Sequence, residues 1–340
     1  MKILVRATNW LGDAVMSLPA LRALRTRFPD SHIDVLARPW VADLYLGEKS
    51  IDRVIPLVAA NGPRDWKLKW VLGRLLHSEN YDLAVLFPNS FESAALTFLS
   101  GATRRIGYAR DGRSPLLTDP VTVPKPGSIP RHERYYYLEL LRRTELIHEL
   151  PQIDEILLDG ITDARRRGEA LFAARGVKLP VIGVNPGAAY GTAKRWLPDR
   201  FAAAAREIAV PRNASIAVFG AATERELCLA VAEAAGGHNL AGATTLREFI
   251  DMSAACSLTL ANDSGAMHIA AALGVPCITV FGPTNEITTG PVGPTARIIR
   301  EPVPCAPCQL RECPIDHRCM TRVPVDRIVT VAGQIPRTDN

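Results

Sequence analysis

Residues 1–37 read MKILVRATNWLGDAVMSLPALRALRTRFPDSHIDVLA, and their pattern sets the fold class. Ile3-Leu4-Val5 is a short unbroken apolar run, the mark of a strand covered on both faces. A polar loop follows. From residue 13 to residue 28, Val15, Leu18, Leu21 and Leu24 recur at helical spacing, with Arg22, Arg25 and Arg27 read as facing away. Pro29-Asp30-Ser31 stops that helix, and residues 32–37 form the next strand. Residues 54–57 and 83–87 continue the series. Strands separated by helices pair in parallel, which predicts a doubly wound α/β sheet.

The pattern then repeats. Residues 107–134 carry Pro115, Pro120, Pro124, Pro126 and Pro130 and read as loop, and a linking helix falls near 160–175. A second series opens at Val181-Ile182-Gly183-Val184. It predicts helices at 198–209, 223–235, 245–255 and 265–273, with strands at 216–219, 258–261 and 277–281. The expected organisation is a Rossmann-like domain over 1–165, a second over 175–320 and a C-terminal tail over 321–340. Two such parallel sheets are expected to face each other across a cleft, with ligand at the carboxyl ends of the strands.

Composition agrees with two folded domains. The chain has 340 residues, 47% hydrophobic and 22% charged, which excludes disorder, collagen and coiled coil for the whole. Its net charge of +5 is uneven, because residues 1–150 hold 21 Lys and Arg against 16 Asp and Glu. A surplus of that size suits an anionic small substrate or a membrane surface rather than nucleic acid. The apolar start is cut by Arg6, Asn9 and Asp13, so it is no signal-peptide core, and the apolar run 269–282 contains Pro276 and is too short to span a bilayer. A cytoplasmic location is expected. Cys228, Cys256 and Cys277 sit in apolar patterns and read as core.

Three loops carry the chemistry. In Arg6-Ala7-Thr8-Asn9-Trp10-Leu11-Gly12-Asp13, the carboxylate of Asp13 is either a helix N-cap or a general base. In the loop from Asn185 to Pro198, Lys194 and Arg195 are either solvated cations or partners for a diphosphate. In Asn262-Asp263-Ser264-Gly265-Ala266-Met267-His268, the amides of Ser264, Gly265 and Ala266 open a helix and form an anion site. Asp263 is there an N-cap or an acceptor for sugar hydroxyls, and His268 a packing or a binding residue. Neither the dinucleotide-binding glycine pattern nor a P-loop is present.

Taken together, these motifs resemble the ADP-heptose:lipopolysaccharide heptosyltransferases of glycosyltransferase family 9, over residues 1–330. The group that adds the first heptose usually carries Ser-Ser-Leu-Gly-Asp in the first motif. Asn9-Trp10 stands there instead, which points to the second-heptose group. The resemblance implies a GT-B fold and an inverting transfer from ADP-heptose to the inner core, heptosyl-Kdo2-lipid A, with peripheral contact at the inner membrane face. It implies Asp13 as the base, Lys194 on the phosphates, Ser264, Gly265 and Ala266 as the diphosphate amides, and Asp263 near the donor sugar; His268 stays a candidate binding residue of the same motif. Arg195 receives no role. Ala222 stands where the first-heptose group has the Glu that holds the ribose, so that contact does not carry over to Glu224. No Asp-x-Asp occurs, and no cofactor is expected beyond the donor substrate. Arg104, Arg105, Arg110, Arg113, Lys125, Arg131 and Arg134 are candidate contacts to an anionic acceptor. Addition of a first or third heptose, or a nucleotide-sugar epimerase on the same scaffold, are the alternative activities. Last, Cys305, Cys308, Cys313 and Cys319 cluster beside His317, as a structural zinc site or a thiol-rich loop.

Overall fold

A computed structural model of the chain describes residues 1–58 and 63–336. The chain divides into two compact units, Met1–Ile153 and Asp154–Asn340. In the first, β1 (Lys2–Arg6) leads into α1 (Leu11–Arg27), β2 (His32–Ala37), α2 (Pro39–Ala42) and β3 (Arg53–Pro56). Then come α3 (Pro63–His77), β4 (Leu83–Leu86), α4 (Phe91–Leu99), β5 (Arg104–Tyr108), β6 (Asp119–Val121) and α5 (Arg134–Arg143). All six strands are parallel, in the order β3-β2-β1-β4-β5-β6. Ile3 pairs with Ile33 on one side and Leu83 on the other, so β1 is central and its apolar run is fully buried. The proline-rich stretch expected as loop contains β6. Pro120 is tolerated because β6 is an edge strand, where one side makes no ladder bonds.

The second unit runs α6 (Ile161–Ala174), β7 (Val181–Asn185), α7 (Pro198–Ala209), β8 (Ser215–Val218), α8 (Arg225–Ala235) and β9 (His238–Asn239). It continues with α9 (Leu246–Ala254), β10 (Leu258–Asn262), α10 (Gly265–Ala272), β11 (Cys277–Phe281), α11 (Glu286–Thr289), β12 (Ala296–Arg300), α12 (Arg318–Thr321) and α13 (Val325–Gly333). Its parallel order is β12-β11-β10-β7-β8-β9, the same plan counted from β7. Both units are thus doubly wound parallel sheets, as the alternation of apolar runs predicts.

The division falls after Ile153, not at 165, because α6 packs on the second unit. A Cβ on Gly168 would stand 1.9 Å from the carbonyl oxygen of Asp251 in α9, so the two backbones meet there without side chains between them. Arg167 of α6 also grips the Asp251 carboxylate at 2.8 and 2.9 Å. The expected tail at 321–340 includes α13. Ile328 and Ala332 on one face of that helix join the same core as Phe201 and Ile208 of α7. Among the described residues no helix is long and apolar enough to cross a membrane.

Candidate active site

In each sheet the strand order reverses between two neighbours, β1 and β4 in the first and β7 and β10 in the second. Loops leaving the carboxyl ends of such strands diverge and leave room for a ligand. Those loops hold all three motifs.

In the second unit, the loop after β7 and the loop after β10 are joined by a charge pair. Lys194 Nζ lies 2.6 Å from Asp263 Oδ2, with both side chains largely buried. Thr284 Oγ1 donates to the same carboxylate oxygen. The N-cap of α10 is Ser264, not Asp263, and its side chain makes no capping bond. The first-turn amides of α10 therefore have no intrahelical acceptor and keep their partial positive charge. His268 lies one turn along the same helix and is buried.

The loop carrying Lys194 is shaped from outside itself. Asn262, fully buried, donates through Nδ2 to the Pro186 carbonyl at 2.7 Å and accepts from the Trp196 amide at 2.9 Å. Farther along the chain, the Arg311 carbonyl accepts from the Ala193 amide at 2.9 Å, and the Tyr190 hydroxyl donates to the Gln309 carbonyl at 2.7 Å. Both Lys194 and Arg311 place their charges over the Tyr190 ring, 4.8 and 5.3 Å from its centre. The Glu224 carboxylate packs on Gly187, where a Cβ would stand 2.2 Å from Oε1 and would have to displace that carboxylate. Glu224 is thus brought to this loop, with Arg195 3.6 Å from its carboxylate.

In the first unit, Trp10 is the N-cap of α1 and Asp13 stands in its first turn, so Asp13 is not the cap. Burial first, and then the Asp13 charge, push the Glu133 carboxyl above its ordinary range. A second carboxyl that holds its proton more tightly therefore sits within electrostatic reach of Asp13. The Asp13 loop is tied down by Arg6, which is buried at the end of β1 and donates to Asn9 Oδ1 at 2.6 Å and to the Ala7 carbonyl. Burial, and then the charge of Arg38, lower the Arg6 guanidinium to about 10. Trp40 Nε1 donates to the Asn9 carbonyl at 3.0 Å.

Several of the candidate acceptor contacts are engaged elsewhere. Arg113 is fully buried and donates to the Pro88 and Tyr108 carbonyls and to Ser93 Oγ, bracing the loop after β4. Arg104 pairs with Asp119 at 2.8 Å, and Arg105 donates to the Leu116 and Ala102 carbonyls. Arg104 and Arg105 open β5, at the sheet end opposite the Asp13 loop. An open hollow of about 520 Å³ lined by Arg104, Asp119, Arg143 and Glu145 lies at that same wrong end. Arg110, Lys125 and Arg131 are exposed. The four clustered cysteines and His317 line one chamber of about 90 Å³ beside Ala193. The seven cysteines are all unpaired, and among the described residues no three His, Cys, Asp or Glu are placed to hold a metal ion.

Sequence reasoning missed Arg6, Glu133, Thr284 and the brace from residues 309–317. Arg6 carried a signal, because an arginine closing a central buried strand needs a partner. The others come next to the motifs only through folding.

The family model for glycosyltransferase family 9 (heptosyltransferase) matches residues 69–318. The chain is 33% identical over 313 residues to lipopolysaccharide heptosyltransferase 2 of Escherichia coli K12, covering 88% of each protein. It is 31% identical over 318 residues to lipooligosaccharide heptosyltransferase 2 of Haemophilus influenzae, again covering 88% of each. Identity to lipopolysaccharide heptosyltransferase 1 of Pseudomonas aeruginosa is 27% over 329 residues, covering 92% of this chain and 87% of that protein. Among solved structures, E. coli ADP-heptose lps heptosyltransferase II matches with a TM-score of 0.82 at 29% identity over 98% of both chains. A family 9 glycosyl transferase of Veillonella parvula matches at 0.83 and 20% identity, over 98% of this chain and 96% of that one, and bears on the fold alone. By its matched span and by these identities, the chain belongs to glycosyltransferase family 9, the heptosyltransferases.

Proposed function

We propose that the protein moves heptose from ADP-heptose, with inversion, onto the first heptose of the lipopolysaccharide inner core, at the cytoplasmic face of the inner membrane. The observation that carries this is the Lys194–Asp263 pair beside the open first turn of α10, at the switch point of a parallel sheet. An ammonium and uncapped helix amides at one place suit a diphosphate leaving group. The relatives that are 31–33% identical carry the name heptosyltransferase 2, which favours the second heptose over the first.

In this mechanism the acceptor hydroxyl gives its proton to Asp13, and the freed oxygen attacks the anomeric carbon opposite the ADP. The bond from that carbon to the phosphate oxygen breaks, and ADP leaves with the electron pair. Lys194 and the amides of Ser264, Gly265 and Ala266 stabilise the charge growing on the phosphates, while Asp263 orients Lys194 and the donor sugar. No metal is assigned a step. The test is incubation with ADP-heptose, with chelator present, and acceptors bearing either no heptose or one. A mass gain of one heptose on the second acceptor alone is expected. Asp13→Asn should reduce that transfer by about 100-fold or more with ADP binding intact. Loss of ADP binding in that variant, or transfer to the heptose-free acceptor, would sink the assignment.

A further inference from the structure

The outward face of α3 is built for contact rather than for water. Of the five tryptophans only Trp196 is in the core; Trp10, Trp40, Trp66 and Trp70 are 56, 57, 57 and 53% exposed. Trp66 and Trp70 lie one turn apart on α3, with Val71 41% and Leu75 62% exposed on the same helix. Arg64, Lys67 and Arg74 are exposed there too. At 3.6 residues per turn these side chains share one half of the circumference. The other half holds Leu72 and Leu76 against the core, and Gly73, where a Cβ would stand 2.6 Å from Leu99 Cβ.

Charge is sorted in the same way. Asp65, the one acidic residue of α3, turns inward and pairs with buried Lys69, which also lies 3.2 Å from Glu92. The outward half therefore carries three cations and no anion. Arg74 sits over the Trp70 ring at 5.3 Å. Such an exposed aromatic and aliphatic face on a folded unit marks a docking surface. Tryptophan beside Arg and Lys is the composition of a helix lying in a membrane interface, with rings at headgroup depth and cations on anionic headgroups.

We propose that the outer face of α3 docks the protein on a bilayer of anionic lipids, with the helix lying in the plane of the interface. Its purpose rests on the proposed glycolipid acceptor, but the docking itself is a property of this face. Sedimentation of the full-length protein with vesicles tests it, using phosphatidylglycerol mixed with phosphatidylcholine against phosphatidylcholine alone and no acceptor. Binding to the anionic vesicles is expected, with a blue shift of tryptophan emission and weakening by salt. Trp66→Ser with Trp70→Ser, and separately Lys67→Glu with Arg74→Glu, should each lower binding about tenfold or more. Both variants should keep the wild-type rate on an acyl-free, water-soluble acceptor, which also shows that they fold. On vesicle-embedded acceptor they should be slower.

The docking proposal is overturned if the variants bind vesicles like wild type, or if neutral and anionic vesicles bind equally. It is likewise overturned if binding needs the acceptor glycolipid, or if the face instead drives self-association that the tryptophan variant abolishes. Failure of transfer on both acceptor forms, with vesicle binding intact, would count against the transferase reading and leave the docking standing.

Discussion

Lys194 is held in place by the Asp263 carboxylate, which Thr284 also engages, so its ammonium is positioned without a ligand. Removing it should affect ground state and transition state together. Lys194→Ala is expected to raise the KM for ADP-heptose and lower kcat, with a loss of about 100-fold or more in kcat/KM by steady-state assay. An unchanged kcat/KM would remove Lys194 from the phosphate site. The positions of Asp13, Lys194 and Asp263 were legible, since they stand in short ordered motifs next to predicted strand ends. Which residues cap the helices was not, because a cap is fixed by backbone geometry; Trp10 and Ser264, rather than Asp13 and Asp263, hold those positions. Arg6 looked like a break in an apolar run, and only the fold shows it pinning Asn9.

Packing of α6 on α9 is a test case for elements. Asp251 is buried between Arg167 and Arg247, with contacts of 2.8 and 2.6 Å. Burial opposes its ionisation, but the two guanidiniums prevail and hold the carboxyl below its ordinary range. A depressed folded-state value means the stabilisation is present above the unfolded value near 3.9 and is lost as pH falls through the folded one. Asp251→Asn should therefore destabilise the second unit by about 1–3 kcal/mol at neutral pH, discounted because both arginines are partly exposed. Urea unfolding at pH 7 and at pH 3 should show the difference shrinking at the lower pH. The helix itself was legible from residues 160–175, but its allegiance was not, because the partner of Gly168 lies far along the chain. Short β6 and β9 escaped for a related reason. Two or three residues show no periodicity, and their pairing partners supply the order.

Across the whole molecule, charge separates the units. Residues 1–153 hold 21 Lys and Arg against 16 Asp and Glu, and the remainder is balanced. Acceptor affinity should therefore fall more steeply with added salt than ADP affinity, measured by titration from low to physiological ionic strength. Equal slopes would detach the charge bias from acceptor binding. The doubled parallel architecture was visible in the alternation of apolar runs, whereas contacts between distant loops were not. One such contact reaches furthest. Residues 309–317 return to the Lys194 loop, through Gln309, Arg311 and His317, whose Nε2 lies 2.8 Å from the Ala193 carbonyl. A fragment ending at β12 would keep every motif and both sheets, yet lose the strap that gives the Lys194 loop its shape. Grafting that loop onto another scaffold would fail in the same way, because its instructions are written more than a hundred positions downstream.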